Sequence, residues 1–339
     1  MVRSWPSGPG PGVLEVRVPG SSANIGPGFD SIGMALGIWD TYLVSLTGAP
    51  GLEIVLEGEG EDDVPRDERH LVHRSMLRAW AALGVHPPEG IRMVCRNSVR
   101  QGRGLGSSAA AIVAGVVAAQ GLHDAVTHGP AHDVADFDRC FTNDLASAVE
   151  GHPDNASASV YGGMTVSWAD DAVPGRVHSV QLDVHPDVVP VVLVPATTLP
   201  TSTARAVLPE RIPHAQAALN SGRSALLVEA VTRRPDLLLP ATREWLHQEQ
   251  RRTSFPATMA LVDTLRAGGH AAVVSGAGPS VLVLATTATS RSVRTLVDER
   301  VWHVLEPGMP STGATVRRVT LREQPAETAE HRATSQRLH

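Results

Sequence analysis

The chain has 339 residues, 42% of them hydrophobic, a net charge of −6 and two cysteines. That length suits two domains, since single cores rarely grow past about 250–300 residues. The acidic balance argues against a nucleic-acid or membrane-surface partner. Cys95 and Cys140 lie in apolar-patterned segments with no zinc spacing around them, so both read as buried structural thiols. No basic region followed by an apolar core opens the chain, so the expectation is a cytoplasmic protein.

In chain order, residues 1–12 are rich in Ser, Gly and Pro and read as disordered. Leu14–Val18 alternates as a half-buried strand. It leads into Pro19-Gly-Ser-Ser-Ala-Asn-Ile-Gly-Pro-Gly-Phe-Asp30, read as a loop carrying more polar function than a turn needs. Strands are expected at Tyr42–Thr47, Leu52–Glu57 and Ile91–Arg96, with a helix at His70–Leu83 between the last two. Gly102-Arg-Gly-Leu-Gly-Ser-Ser-Ala109 follows, then an apolar run to Ala119. That run is too short for a bilayer, which needs about 20 residues. Apolar on every side, it reads as a buried helix, with Ser107 and Ser108 as candidate caps.

Further on, Asp133–Glu150 reads as a helix stopped by Pro153, and Val160–Trp168 as a strand. The pattern lapses around Asp170–Val180, which sets a domain boundary between 13–178 and 179–322. The second part is expected to hold strands at Val188–Val194, within Ala271–Ala285 on both sides of a Gly-Ala-Gly-Pro turn, and at Val316–Leu321. Helices are expected at Ser202–Leu208, Ile212–Ser221, Ala225–Arg233, Phe255–Ala267 and Arg291–Glu299. Residues 323–339 read as a loose polar tail. Strands and helices without strict alternation give an α+β class.

The chemistry concentrates at Gly102–Ala110. The first turn of a helix leaves N–H groups unpaired and carries partial positive charge, and glycines before it let a ligand approach the backbone. That is a phosphate cradle. All 29 basic residues are arginine, so the lysine of a Walker A loop is missing, and the Rossmann glycine spacing with its acidic partner is absent too. The cradle must work through backbone amides and hydroxyls.

Four segments stand in order: the Asn24/Asp30 loop, the cradle, Glu150-Gly-His-Pro-Asp-Asn155 and Ser275-Gly-Ala-Gly-Pro-Ser280. This set resembles the GHMP small-molecule kinases, which act on galactose, homoserine, mevalonate and phosphomevalonate. Within them it is most similar to the homoserine kinases, through the His-Pro-Asp-Asn segment, Ser202-Thr-Ala-Arg-Ala-Val-Leu-Pro209 and Leu246-His-Gln-Glu-Gln-Arg251. The resemblance spans roughly residues 14–321.

It implies a two-domain GHMP kinase fold, with an N-terminal domain like domain 2 of ribosomal protein S5 and a C-terminal ferredoxin-like α/β sandwich. It implies transfer of phosphate from ATP to L-homoserine, a step of threonine biosynthesis, and often a homodimer, although no segment shows an interface. Arg100, Gln101, Gly102, Arg103, Gly104, Leu105, Gly106, Ser107, Ser108, Ala109, Ala110 and His70 would then surround ATP. Glu150 with Ser107 or Ser108 would hold Mg2+, a hard cation suited to oxygen. Arg205 and Arg251 would grip the substrate carboxylate, whose geometry matches the guanidinium fork. Asp30 would take the ammonium group, and Asn24, His152 and Asn155 would orient the hydroxyl and the γ-phosphate. An amide cannot accept a proton, so Asn155 implies transfer without a dedicated side-chain base.

Three positions depart from the family pattern: Arg100 for a proline, His70 for an asparagine near adenine, and Gln250 for an aromatic. The competing readings are a GHMP kinase for another small acceptor, an ATP-binding regulator without activity, and an interaction protein that binds no nucleotide.

Overall fold

The computed structural model describes residues 5, 10, 12–129, 131–198 and 201–319, without the side chains of 201–203. The tail expected at 323–339 lies outside them, as does most of 1–12. Trp5, within that stretch, is described: its ring meets Trp80 edge-on at 5.5 Å.

The first sheet forms from alternating segments. β1 (Val13–Ala23) buries Leu14, Val16 and Val18. It pairs antiparallel with β2 (Ile32–Leu46), and the register shifts at Pro19/Gly20. Such an irregularity bends a strand. Gly20 is needed there, because a Cβ would lie 3.0 Å from the Leu105 carbonyl. The segment read as loop from Pro19 is therefore strand as far as Ala23, and only the Asn24–Ser31 stretch turns. β3 (Gly51–Gly58) runs parallel to β4 (Gly90–Asn97), joined by helix α1 (Leu71–Leu83).

Helix α2 (Ser107–His128) packs against β1 and α1 and is buried along most of its length. Among the described residues it is the one helix long and apolar enough to cross a membrane, but 72% of its most apolar window is buried inside the protein. Trp80 Nε1 on α1 donates to the Ala119 carbonyl at 3.0 Å, and Gly115 lets the two helices touch.

Four expectations change in the next stretch. The helix expected from Asp133 starts only at α3 (Arg139–Glu150), because Asp138 caps it by accepting the Phe141 N–H at 2.9 Å. Pro153 does more than stop that helix: it opens a second one, α4 (Pro153–Tyr161), at a position where proline is favoured. The strand expected from Val160 therefore begins later, as β5 (Met164–Ala169). Cys140, on α3, is exposed rather than buried; Cys95 is buried as expected.

β5 pairs with both β2 and β6 (Val177–Leu182). The boundary expected at 178/179 falls inside β6, so this sheet continues to Leu182. It also recruits the last described strand, β11 (Thr315–Val319), beside β1. The order is β11-β1-β2-β4-β3, with β5 and β6 off β2.

The second sheet uses β7 (Val188–Pro195), β8 (Ala271–Val274), β9 (Val281–Thr286) and β10 (Trp302–Leu305) in the order β10-β7-β9-β8, all antiparallel. This is the ferredoxin-like order. Between β7 and β8 lie α5 (Thr201–Ala206), α6 (His214–Thr232), α7 (Leu238–Ala241) and α8 (Pro256–Ala267); α9 (Ser290–Arg294) precedes β10. The two helices expected around 212–233 are one, α6, which runs through Gly222 at a cost of about 1 kcal/mol relative to alanine. Phe255, Met259 and Leu265 from the α8 region cover one face of this sheet. On the other face Val192, Val273 and Leu282 share a core with Leu227 of α6, Met34 and Leu36 of β2, and Leu105. The two parts therefore meet through one apolar seam that ends at the glycine loop.

Candidate active site

The glycine loop ends in a helix whose N-terminus is left open. Gly106 takes φ +71° at the N-cap and no side chain caps α2, so Ser107 and Ser108 are its first residues and not its caps. The first intrahelical bond runs from the Ala110 N–H to the Gly106 carbonyl at 2.9 Å, which leaves the earlier N–H groups free of helical partners. Two glycines fit only as glycine. A Cβ on Gly104, at φ +71°, would lie 2.2 Å from the Ser275 carbonyl, and one on Gly106 would lie 2.1 Å from Ser21 Oγ. The contacts that exclude a side chain join three of the four sequence motifs. Ser275 Oγ lies 2.6 Å from the Gly104 carbonyl and 2.8 Å from Ser22 Oγ.

The loop after β1 is strained where it meets this joint. Asn24, Ile25 and Asp30 all take positive φ, at 69°, 45° and 53°. For a β-branched residue such as Ile25 that is an outlier, and such strain gathers at functional sites. The surroundings hold it in place. Asn24 Nδ2 donates to the Gly276 carbonyl at 2.9 Å, and its Oδ1 accepts the Asp30 N–H at 3.0 Å. Asn220 Nδ2 and Ser224 Oγ donate to the Pro27 carbonyl, and His247 Nε2 to that of Gly26 at 2.8 Å. Asn24 thus spends most of its amide on bracing the loop.

Around these loops lies a cleft with about 580 Å³ of empty space, part of it open to solvent. Of the expected nucleotide residues, Arg100, Gly102, Gly104, Leu105, Gly106, Ser107 and Ser108 line it. Ala109 and Ala110 are buried in the core behind. Arg103 is turned away: its guanidinium donates to the carbonyls of Gln101, Pro195 and Ala196 and ties the loop to the end of β7. Arg100 pairs with Glu59 at 3.1 Å. His70, just before α1, points inward, with Nε2 4.0 Å from Cys95 Sγ and Nδ1 buried without a partner. Burial, helped by His73, pulls it down to about 4, so it is neutral at pH 7. Glu150, at the end of α3, accepts the Ser108 hydroxyl at 2.9 Å, so Ser108 and not Ser107 is its partner.

The far wall is ionic. Arg205 grips Asp30 with both terminal nitrogens, at 2.5 and 3.2 Å. Arg251 is 1% exposed and forms no ion pair among the described residues. Its Nε donates to the Ala204 carbonyl at 2.9 Å, and Nη1 lies 3.2 Å from His247 Nδ1. Burial holds His247 below its ordinary value, and its Nε2–H points at Gly26, so Nδ1 is free to accept from Arg251. Both arginines lie over the Phe29 ring, 5.7 and 5.8 Å from its centroid.

His152 and Asp154 sit 2.6 Å apart on the same wall. Burial pulls the imidazole down, but the Asp154 hydrogen bond and charge outweigh it and leave His152 above its ordinary value. Asp154 Oδ1 also accepts the Asn155 N–H at 2.8 Å, whereas Oδ2 is buried with no partner. Asn155 Oδ1 accepts the Ser21 hydroxyl at 3.0 Å, leaving its amide nitrogen for the cleft. Asp154, Phe29 and His247 are site residues that sequence reasoning did not assign. The signal for Asp154 was an acid flanked by His152 and Asn155; for the other two it was their place inside motif segments.

An uncapped helix N-terminus over hydroxyls and glycines, facing two arginines and the buried Asp154, defines a phosphotransferase of the GHMP type. The GHMP kinases N terminal domain model matches residues 70–163 and the GHMP kinases C terminal model residues 215–299, and the chain belongs to this family. Within it the chain belongs to the homoserine kinases. It is 47% identical to homoserine kinase of Streptomyces coelicolor over 89% of this chain and 94% of that protein, and 42% identical to the Clavibacter michiganensis enzyme over 92% and 96%. The crystal structure of homoserine kinase from Cytophaga hutchinsonii superposes with a TM-score of 0.73 at 25% identity, covering 90% and 97% of the two chains. A phosphomevalonate kinase from Streptococcus pneumoniae shares the fold at 12% identity with a TM-score of 0.59.

Proposed function

We propose that the chain transfers the γ-phosphoryl group of Mg-ATP to the γ-hydroxyl of L-homoserine. The observation that carries the acceptor is Arg251: a buried guanidinium with no carboxylate of its own, opening on the same cleft as Asp154 Oδ2. A buried cation with no ion pair, beside a carboxylate oxygen that its His152 partner leaves unsatisfied, is a mould for a zwitterion. The substrate carboxylate goes to Arg251 and to Arg205 as it releases Asp30. The ammonium group goes to Asp30 and Asp154.

The N–H groups at the start of α2 take the phosphates. Glu150 and Ser108 would hold Mg2+, both offering hard oxygens 2.9 Å apart. Bound there, Mg2+ would neutralise charge on the β- and γ-phosphates. The Asn155 amide nitrogen orients the γ-hydroxyl or the transferring oxygens. In the transfer the bond from the γ-phosphorus to the β-bridging oxygen breaks, and the homoserine oxygen bonds to phosphorus. The hydroxyl proton leaves late, to the new phosphate or to solvent. Asn155 cannot take it, because an amide is not a base at neutral pH.

The test is ADP release with Mg-ATP, with and without L-homoserine, alongside thermal unfolding with and without Mg-ATP. We expect release to depend on L-homoserine and Tm to rise with the nucleotide. Nucleotide binding with no L-homoserine-dependent release would refute the acceptor. No rise in Tm at saturating Mg-ATP would refute the nucleotide site.

A further inference from the structure

The cleft continues into a larger groove beside it, with about 970 Å³ of empty space. Leu71, Arg74, Ser75 and Arg78 line it from one stripe of α1, at the three- and four-residue spacing that keeps side chains on one helix face. Ser108, Glu150, His152 and Arg205 are shared with the cleft, so the groove opens on both the start of α2 and the ionic wall. The groove therefore leads straight to the glycine loop.

Nearly every other cation at this site is already engaged. Arg100 pairs with Glu59, and Arg103 is bound to three backbone carbonyls. Arg205 holds Asp30, and Arg251 is buried against Ala204 and His247. Among the described residues Arg74 and Arg78 are the two arginines of cleft and groove whose side chains form no hydrogen bond or ion pair. The chain has no lysine to supply charge in their place. Glu150 on the inner wall would repel a polyanion entering without a cation.

We propose that Arg74 and Arg78 form an anion-binding arm that holds the non-transferred phosphates of the nucleotide along α1. This rests on the reading of the cleft as an ATP site. Both side chains are exposed, and the guanidinium fork suits phosphate oxygens. The arm does in charge what the helix N-terminus does with amides.

The experiment compares the wild type with Arg74→Ala, Arg78→Ala, the double alanine variant and the double lysine variant. Each single variant should raise KM for ATP about three- to tenfold, and the double variant more than tenfold. KM for L-homoserine and Tm should stay as in the wild type. The lysine pair should recover most of the loss, since it restores charge without the fork. Between 50 and 300 mM KCl, KM for ATP should climb less in the double alanine variant than in the wild type.

An active double alanine variant with the wild-type KM for ATP overturns the proposal. So does a common rise in both KM values with a lower Tm, which would mark a structural role. Should the wild type transfer phosphate to no acceptor, the acceptor reading fails on its own. ADP binding by calorimetry then decides here: weaker in the double alanine variant supports the arm, equal binding overturns it.

Discussion

Replacing Arg251 by methionine should abolish much of the activity while leaving stability nearly unchanged. The side chain is 1% exposed, and burial, then Arg205 beside it, pulls its pKa far below the ordinary arginine range, to about 10. A base with a lowered folded pKa is disfavoured as a cation by folding. That cost is fully present at pH 7 and relaxes only as pH rises through 10 towards the ordinary arginine range. At 1.36 kcal/mol per tenfold it comes to roughly 3 kcal/mol. Methionine removes it, and also removes the bonds to Ala204 and His247, at roughly 1 kcal/mol each plus some stranded polarity. The two effects nearly cancel, so Tm should move by no more than a few degrees.

Catalysis has no such offset. Truncating one partner of a desolvated charge pair costs about 2–5 kcal/mol, or about 30-fold to several thousandfold in kcat/KM for L-homoserine. KM for ATP should hardly change. The assay is steady-state ADP release at varied L-homoserine together with a melting curve. A variant within threefold of the wild type in kcat/KM, or one whose Tm falls in step with its activity, would refute the assignment of Arg251 to the substrate carboxylate.

Other consequences can be checked on the same preparations. Burial lifts Asp40 to about 6, against the Val99 and Ser98 N–H groups that it accepts at 2.9 and 2.7 Å just ahead of the glycine loop. A carboxyl with a raised folded pKa adds most stability below pH 4 and loses it as pH climbs to 6. The Tm of Asp40→Asn minus that of the wild type should therefore grow between pH 4 and 6.5 and then level off; a constant difference contradicts this. Gly104→Ala should cost at least about 2 kcal/mol and raise KM for ATP, because its Cβ meets the Ser275 carbonyl. Gly84→Ala, at a similar φ of +68° with nothing within 4 Å, should cost only about 1 kcal/mol and spare activity. Glu150→Gln should raise the Mg2+ needed for half-maximal rate more than tenfold at unchanged Tm; an unchanged requirement removes Glu150 from the metal site.

Local chemistry was legible in the sequence, and distant docking was not. Gly104 and Gly106 announce a helix start that a ligand can approach, because glycine conformation and helix starts are properties of a few adjacent residues, although the serines read as caps prove to be the helix's first residues. The same holds for the strand at Leu14 and for the helices ending at Leu83 and Ala267. What escaped depends on partners far along the chain. Arg103 looked like a phosphate ligand in its motif, but the carbonyls at the end of β7 take its charge. Asp154 gains its role by burial, which needs β2 to come close enough that a Cβ on Gly33 would lie 1.9 Å from the Asp154 carbonyl. Helix α4 was hidden by its length of nine residues and by a proline that ends one helix and starts the next. Nothing near Thr315 says that it will pair with β1, some three hundred residues earlier.

The central claim is that this cleft selects a homoserine-shaped zwitterion. The most direct measurement offers the enzyme limiting Mg-ATP and an equimolar mixture of L-homoserine, D-homoserine, L-serine, mevalonate and galactose, and identifies the phosphorylated products by mass spectrometry. Competition reads the ratio of kcat/KM values directly, and one methylene is worth about 10- to 200-fold in a fitted pocket. O-phospho-L-homoserine should be the dominant product, with phosphoserine a minor one. A dominant phosphorylated sugar or mevalonate, neither of which has an ammonium group for Asp30 and Asp154, would contradict it.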